Sequence, residues 1–386
     1  MSNVLVTDGR SRASLSIVRS LGKKGIKVIS GEAFTCPSFY SRYTSQRILY
    51  PDPDKYFDLF IQRIFEVVKE EEIDVIFPVR DSTTLLLSKH KNELSHFTRI
   101  PTADYNTLMK GRDKAQTLKI AMDKGIPCPK TYFVEDDSDL REIISALKFP
   151  VLIKPRESSG SRGIKYVQSP KELLRSYDNI RADYDKLMIQ EFIPHGGAYG
   201  VEMLFNNGEP RAIFVHKRLR EYPRSGGPST LRESVRFPKI EECASVLLKA
   251  LKWHGVAMVE FRVDSRDGIP KLMEINPRFW GSLSLAIHSG VDFPYLLYKM
   301  TMEGDVEPVF EYKIGVRTRW FLFGDILWFL SSPNKLTDLP EFFKFRGVKD
   351  DILSLGDPMP ALGVVLDGVI SLTRKSRRKH VFERGW

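Results

Sequence analysis

Between residues 259 and 278 the chain alternates in a way that strongly restricts its local fold and gathers charge on one face. Val259, Phe261 and Val263 take one side of an extended strand, and Glu260, Arg262 and Asp264 take the other. Residues 265–269 are turn chemistry, with Gly268 suited to a left-handed position and Pro270 closing the loop. In the second strand Glu274, Asn276 and Arg278 fall two apart, on one face. The pattern predicts a β-hairpin with a carboxylate on each strand. Two carboxylates and an amide oxygen meeting there make a hard oxygen site, suited to Mg²⁺ that also binds substrate phosphates, with Arg278 as a fixed cation beside it. An ordinary antiparallel pair with a charged solvent face fits the same alternation, so the decision falls to the rest of the chain.

With 386 residues, the chain is long enough for two or three domains. Its 42% hydrophobic and 28% charged content is that of a soluble globular protein. The net charge of +10 admits anionic partners (nucleotides, nucleic acid or acidic lipid) without choosing among them. Cys36, Cys128 and Cys243 are far apart and lack metal-ligand spacing, which points to a reduced, cytoplasmic protein without structural zinc. The first residues read as a strand rather than a secretory signal, and no apolar run approaches the length of a membrane span.

The opening is strand–helix–strand, as in an open parallel sheet, but the first turn lacks the dinucleotide fingerprint. The crevice near residues 8–12 and 80–82 could still hold part of a substrate. A second unit starts near Leu108. In it a strand ends at Lys154 just before Ser158-Ser159-Gly160-Ser161-Arg162-Gly163-Ile164, a small-residue loop able to cradle phosphate oxygens or simply to flex. Another apolar strand ends in Glu191-Phe192-Ile193-Pro194, which can offer an adenine backbone donors and acceptors or can merely meet a turn. Gly196-Gly197 reads as a hinge or turn. Residues 217–236 hold six basic residues, and within them 225–230 reads as a flexible, donor-rich loop; such a basic loop suits a carboxylate or a transferring phosphate, or is a solvated surface loop. Beyond Gly304 the pattern changes: a strand is expected at 314–323, and an apolar helix at 361–372 precedes the basic segment 374–379. Such a helix suits an anionic membrane surface, although packing on its own domain is the more ordinary outcome.

Lys114, Val-Leu-Ile-Lys154-Pro, the loop 158–164, Gln-Glu191-Phe-Ile-Pro, Val-Glu260-Phe and Glu274-Ile-Asn276-Pro-Arg278 together, in this order, resemble the ATP-grasp superfamily. The arrangement is similar to carbamoyl-phosphate synthetase, biotin carboxylase and D-alanine–D-alanine ligase. The resemblance covers roughly residues 1–305 and implies an α/β and α+β architecture. Its expected parts are an open parallel-sheet domain at 1–107, an ATP-grasp domain at 108–305 with a lid at about 127–190, and an extension at 306–386. It implies that Lys114 and Lys154 contact ATP phosphates and that Ser159, Gly160, Ser161, Arg162 and Gly163 close over them. Glu191, Phe192 and Ile193 would form the adenine hinge, and Glu202 lies in the strand expected to carry the ribose-binding acid. Glu260, Glu274 and Asn276 would hold Mg²⁺, or Mn²⁺ in its place, and Arg278 would stabilise the acyl-phosphate. Lys217, Arg218, Gly226, Gly227, Ser229 and Arg278 lie where relatives contact substrate.

The chemistry this implies is activation of a small carboxylic acid by the γ-phosphate of ATP, then attack by an amine to give an amide, ADP and phosphate. A carboxylase using bicarbonate is the alternative within the superfamily. A nucleic-acid-binding protein is disfavoured because the basic stretches lack interleaved aromatic residues. A catalytically silent nucleotide sensor has no need of the full metal set. A homodimer stays open.

Overall fold

The computed structural model describes residues 2–134, 137–158, 162–224 and 226–373. The first unit runs β1 (Asn3–Val6), α1 (Arg12–Gly22), β2 (Lys27–Glu32), β3 (Thr44–Leu49), α2 (Phe57–Glu70), β4 (Val75–Phe77), α3 (Asp81–Lys89) and α4 (Lys91–Leu94). Its four strands form a parallel sheet in the order β3-β2-β1-β4. The apolar runs of β1 and β4 are buried on both faces, as helix-covered parallel strands must be. Ser11 caps α1 by accepting from the Ala13 N–H, and Ile17, Val18 and Leu21 turn the helix onto the sheet.

Two helices, α5 (Tyr105–Arg112) and α6 (Lys114–Asp123), lead out of this unit. Each is capped by an aspartate, Asp104 and Asp113 respectively. A small antiparallel sheet comes next, in the order β5-β8-β6-β7. It is built from β5 (Thr131–Val134), α7 (Asp137–Ala146), β6 (Val151–Pro155), β7 (Lys165–Val167), α8 (Pro170–Arg181) and β8 (Leu187–Glu191).

The large sheet comprises β9 (His195–Asn206), β10 (Glu209–Glu221), β11 (Ser229–Ser234), α9 (Pro238–Ala250), β12 (Gly255–Asp264) and β13 (Pro270–Asn276). After α10 (Leu283–Ser289) and α11 (Phe293–Glu303), β14 (Arg317–Arg319), α12 (Ile326–Leu330), α13 (Lys335–Phe342), β15 (Val348–Asp350) and α14 (Met359–Thr373) complete the chain. The strand order is β13-β12-β9-β10-β11-β14-β15. Residues beyond 305 therefore extend the large sheet rather than standing apart from it. The strand expected at 314–323 is only three residues long.

Alternation divides the large sheet into two faces. Val201, Met203, Phe205, Val215, Val259 and Phe261 pack with Leu118, Ala121, Leu247 and Leu248 of α6 and α9. Leu204, Phe214, Val256 and Met258 pack with Phe77, Ile17 and Trp280, joining the sheet to the first unit. Two expectations change here. Gly196 and Gly197 lie inside β9, where a side chain on Gly196 would strike the Val263 carbonyl, so they serve close strand packing rather than a hinge. The basic stretch 217–236 is mostly the paired strands β10 and β11; of the described residues, 222–224 and 226–228 lie between the strands and 235–236 follow β11.

Candidate active site

The hairpin forms, with a β-bulge between Glu260 and Phe261 that shifts its pairing by one residue. Glu260 lies directly opposite Glu274, and Asn276 opposite Met258, so all three polar side chains share one face. Gly268 takes φ 71°, as the turn demands. Asn276 donates from Nδ2 to Glu260 Oε1 at 3.1 Å. Arg278 donates from Nη2 to Asn276 Oδ1 at 3.2 Å, and its Nε lies 3.0 Å from Asp81 Oδ1 at the start of α3. The first unit thus meets the hairpin through Asp81, a contact between residues almost two hundred positions apart for which the local pattern carries no signal.

Cations from three directions surround the two carboxylates. Arg218, on β10, approaches Glu260 Oε1 at 2.5 Å. Lys114, first residue of α6, lies 3.2 Å from Glu274 Oε2 and also donates to the Ser158 carbonyl. Its position is fixed by Asp113, whose carboxylate caps α6 and accepts from Arg156 at 2.6 Å, tying the helix start to the end of β6. Lys154, on β6, is buried and donates to Gln190 Oε1 at 2.6 Å. Burial, with the like charge of Lys114, pulls the Lys154 ammonium down to about 8 against the attraction of Glu274. Burial pushes Glu260 up, and so does Glu274, while Arg218 opposes both.

Two acids side by side, one of them raised by the other, call for a cation between them. The Glu260 and Glu274 carboxylates fit a hard divalent ion; Asn276 turns Nδ2 toward Glu260 and Oδ1 toward Arg278, so its oxygen would join them only with the amide turned over. Arg218 and Lys114 balance the same charge in the structure.

Other expected residues fall in different places. Glu191 ends β8, and its carboxylate is taken by the Lys130 N–H and by Arg266 at 2.5 Å. Its backbone, with Phe192 and buried Ile193, forms the connection to β9. Phe192 meets Tyr166 edge to face at 5.2 Å. Gly163 takes φ 72° against Pro155 and Tyr184, with Arg162 exposed beside it. Ser159, Gly160 and Ser161 lie outside the described residues.

Glu202 is fully buried, accepting from Ser282 Oγ at 2.9 Å and lying 2.9 Å from His216 Nδ1. Burial pushes this acid well up and the imidazole well down, each away from its charged form. That location removes Glu202 from the ribose-binding role. Lys217 alternates away from Arg218 and lies over the Tyr199 ring on the opposite sheet face. Gly226 and Gly227 form the turn between β10 and β11; Gly227 has no room for a side chain against the Tyr222 carbonyl. This end of the hairpin faces the later part of the chain through the Tyr222–Trp328–Phe342 cluster and an Arg224–Asp338 ion pair. Ser229 is buried beside it. Of the expected substrate contacts, the structure therefore brings only Arg218 and Arg278 to the carboxylates. Arg218 and Asp81 gain roles there that local pattern did not assign, and Gln190 gains one as the partner of Lys154. Among the described residues no cluster of three His, Cys, Asp or Glu side chains suits a metal; the candidate site uses an amide as its third donor.

Residues 111–214 match the model of the RimK-like ATP-grasp domain, and residues 183–321 match that of ATP-grasp in the biosynthetic pathway with Ter operon. The chain belongs to the ATP-grasp superfamily. Together the two matched regions span both smaller sheet and hairpin, so the cations and carboxylates gathered at the hairpin lie within them except Asp81. The chain is 25% identical to D-aspartate ligase of Enterococcus faecium over 269 residues, covering 63% of this chain and 62% of that one. It is 32% identical to D-alanine–D-alanine ligase of Carboxydothermus hydrogenoformans over 187 residues, covering 42% and 58%. The chain thus spans less than two thirds of the length of these relatives. In fold it resembles biotin carboxylase from Campylobacter jejuni, with TM-score 0.68, 18% identity and coverage of 81% and 74%. It also resembles an L-amino acid ligase from Bacillus licheniformis, with TM-score 0.64, 17% identity and coverage of 80% and 75%. ATP and divalent metal ions are what enzymes of this superfamily use.

Proposed function

We propose that the protein is an ADP-forming ligase that activates a small carboxylic acid as an acyl-phosphate and joins it to an amine. The observation that carries this reading is the pairing of Glu260 with Glu274 under converging cations from α6, β6 and β10. Sequence similarity to two amino-acid ligases supports the carboxylate–amine branch.

In this reading ATP lies between the small and large sheets, its adenine against the backbone of residues 191–193. Lys154 and Lys114 hold the phosphates, and loop 158–164 covers them. Glu260, Glu274 and Asn276 hold Mg²⁺ or Mn²⁺, which would neutralise charge on the outer phosphates. Nucleotide and metal take over the partners that Lys114 and Arg218 now share with the two glutamates. Arg278, held by Asp81 and Asn276, orients the carboxylate that receives the γ-phosphoryl group. A carboxylate is a poor acyl donor, and phosphorylation converts one of its oxygens into a leaving group. Attack by the amine nitrogen on the acyl carbon then expels phosphate. Closure of the small sheet excludes water from the intermediate.

Acids and amines screened in pairs for ADP release provide the test, with bicarbonate included as an acid. Stimulation by an acid–amine pair supports the ligase; stimulation by bicarbonate alone transfers the reading to a carboxylase.

A further inference from the structure

The last described helix, α14, is apolar on the wrong side for a helix that only packs on its own protein. Its inner face is well fixed. Asp367, buried, receives Arg10 at 2.7 Å, and Gly363 lies so close to Pro37 and Tyr40 that a side chain there would clash. Gly368 lies equally close to Phe323. These contacts set the rotation of the helix about its axis. The opposite face then presents Met359, Leu362, Val365, Leu366 and Val369, each between 42% and 56% exposed. Through Val369 no charged or polar residue of the helix is exposed. A solvated helix places its polar residues outward; here the buried side holds the carboxylate and the outer side is apolar.

The residues directly after the helix indicate the occupant of this face. Positions 374–379 read Arg-Lys-Ser-Arg-Arg-Lys, five cations among six residues. No helix among the described residues is long and apolar enough to cross a membrane. Five half-exposed side chains offer on the order of 400 Å² of surface, about half of the ~800 Å² per partner buried in a stable protein interface. An apolar stripe of this size beside a basic cluster is the combination that lies on an anionic bilayer: side chains enter the acyl boundary while lysine and arginine meet the headgroups.

We propose that the outer face of α14, with residues 374–379, docks on the surface of an anionic lipid bilayer. The helix lies parallel to that surface and holds the first unit against it.

Flotation of the full chain with vesicles tests this directly. Vesicles of phosphatidylcholine alone are compared with vesicles containing about a third phosphatidylglycerol, at low salt and at 0.5 M NaCl. The chain should float with the anionic vesicles at least tenfold more than with the neutral ones, and high salt should release it. Leu366→Glu with Val369→Glu should reduce flotation at least tenfold. So should replacement of Arg374, Lys375, Arg377, Arg378 and Lys379 by Gln, a second variant that leaves the packed helix untouched should the first fail to fold. Equal recovery on neutral vesicles, no recovery on either, or recovery indifferent to both variants overturns the proposal. So does concentration-dependent dimerisation in sedimentation that Leu366→Glu abolishes while vesicle binding is absent, because a second copy would then be the occupant.

Discussion

Raising the pH should weaken ATP binding through Lys154, while the contribution of that one group to fold stability rises. Its ammonium is buried and lies near the Lys114 cation, and it is held at about 8 rather than its ordinary 10.5. If only the protonated form holds phosphate, apparent affinity falls as the free protein loses that proton. At pH 9 roughly a tenth of the free protein remains protonated, so the dissociation constant should rise about tenfold, having been nearly flat below pH 7.5. Stability has the opposite sign. Between about pH 8 and 10.5 the unfolded chain binds more protons at this position than the folded one, so stability rises with pH by up to about 3 kcal/mol from this group. A fluorescent ATP analogue titrated from pH 7.5 to 9.5, with melting followed in parallel, measures both. Lys154→Arg should keep its charge across the range and abolish the pH slope. A wild-type affinity constant across this range, or a Lys154→Gln variant with the same slope as wild type, would show that the Lys154 proton does not govern nucleotide binding.

Glu274→Gln should weaken Mn²⁺ binding, followed by electron paramagnetic resonance, at least ~tenfold. Glu260→Gln should do the same and also cost about 2–3 kcal/mol in a denaturant titration, because the largely buried Arg218 loses its nearest partner. Glu32 is buried next to Asp8 and is pushed up to about 7, chiefly by burial. Its folded form thus holds a proton that the unfolded chain gives up, so its contribution is complete below about pH 4.5 and is lost as pH rises through 7. Glu32→Gln should flatten a fall of about 3 kcal/mol in stability between pH 4.5 and 7.5. Asp351 is buried between Arg12, at 2.7 Å, and Arg232. Asp351→Asn should cost about 3–5 kcal/mol in the same titration, since two buried guanidinium groups would lose their shared counter-ion; a cost below about 1 kcal/mol would show that the network is not structural.

The hairpin was legible because its information is local. Period-two alternation sets the faces of 259–264 and 271–276 within each strand, whereas the pairing of Glu260 with Glu274 depends on a bulge between Glu260 and Phe261 that the turn residues do not signal. The strands carrying Lys154 and Glu191 were local in the same way. Residues 217–236 failed for the opposite reason. Arg232, Thr230 and Ser234 look like solvent residues, yet all three are buried, and Arg232 is stabilised by Asp351, more than a hundred positions later. A polar strand whose counter-charges lie so far away carries no local sign of burial. Glu202 was placed in the right strand but given a solvent role, because its neighbours Ser282 and His216 converge only after folding. Arg278 was recognised, and Asp81 was noticed only as part of a strand-end crevice; their pairing joins two units and carries no local sign.

Whether the Glu260–Glu274 hairpin serves transfer of the γ-phosphoryl group to a carboxylate is decided by identifying the products of one turnover. Protein, ATP, Mg²⁺ and a stimulating acid should be incubated with hydroxylamine in place of the amine, with nucleotides and the trapped acyl group measured together. ADP, phosphate and a hydroxamate should form in equal amounts, and Glu274→Gln should yield none of them. Recovery of AMP and pyrophosphate as the main products would mean that the acid is activated as an adenylate and that the hairpin has been assigned the wrong chemistry.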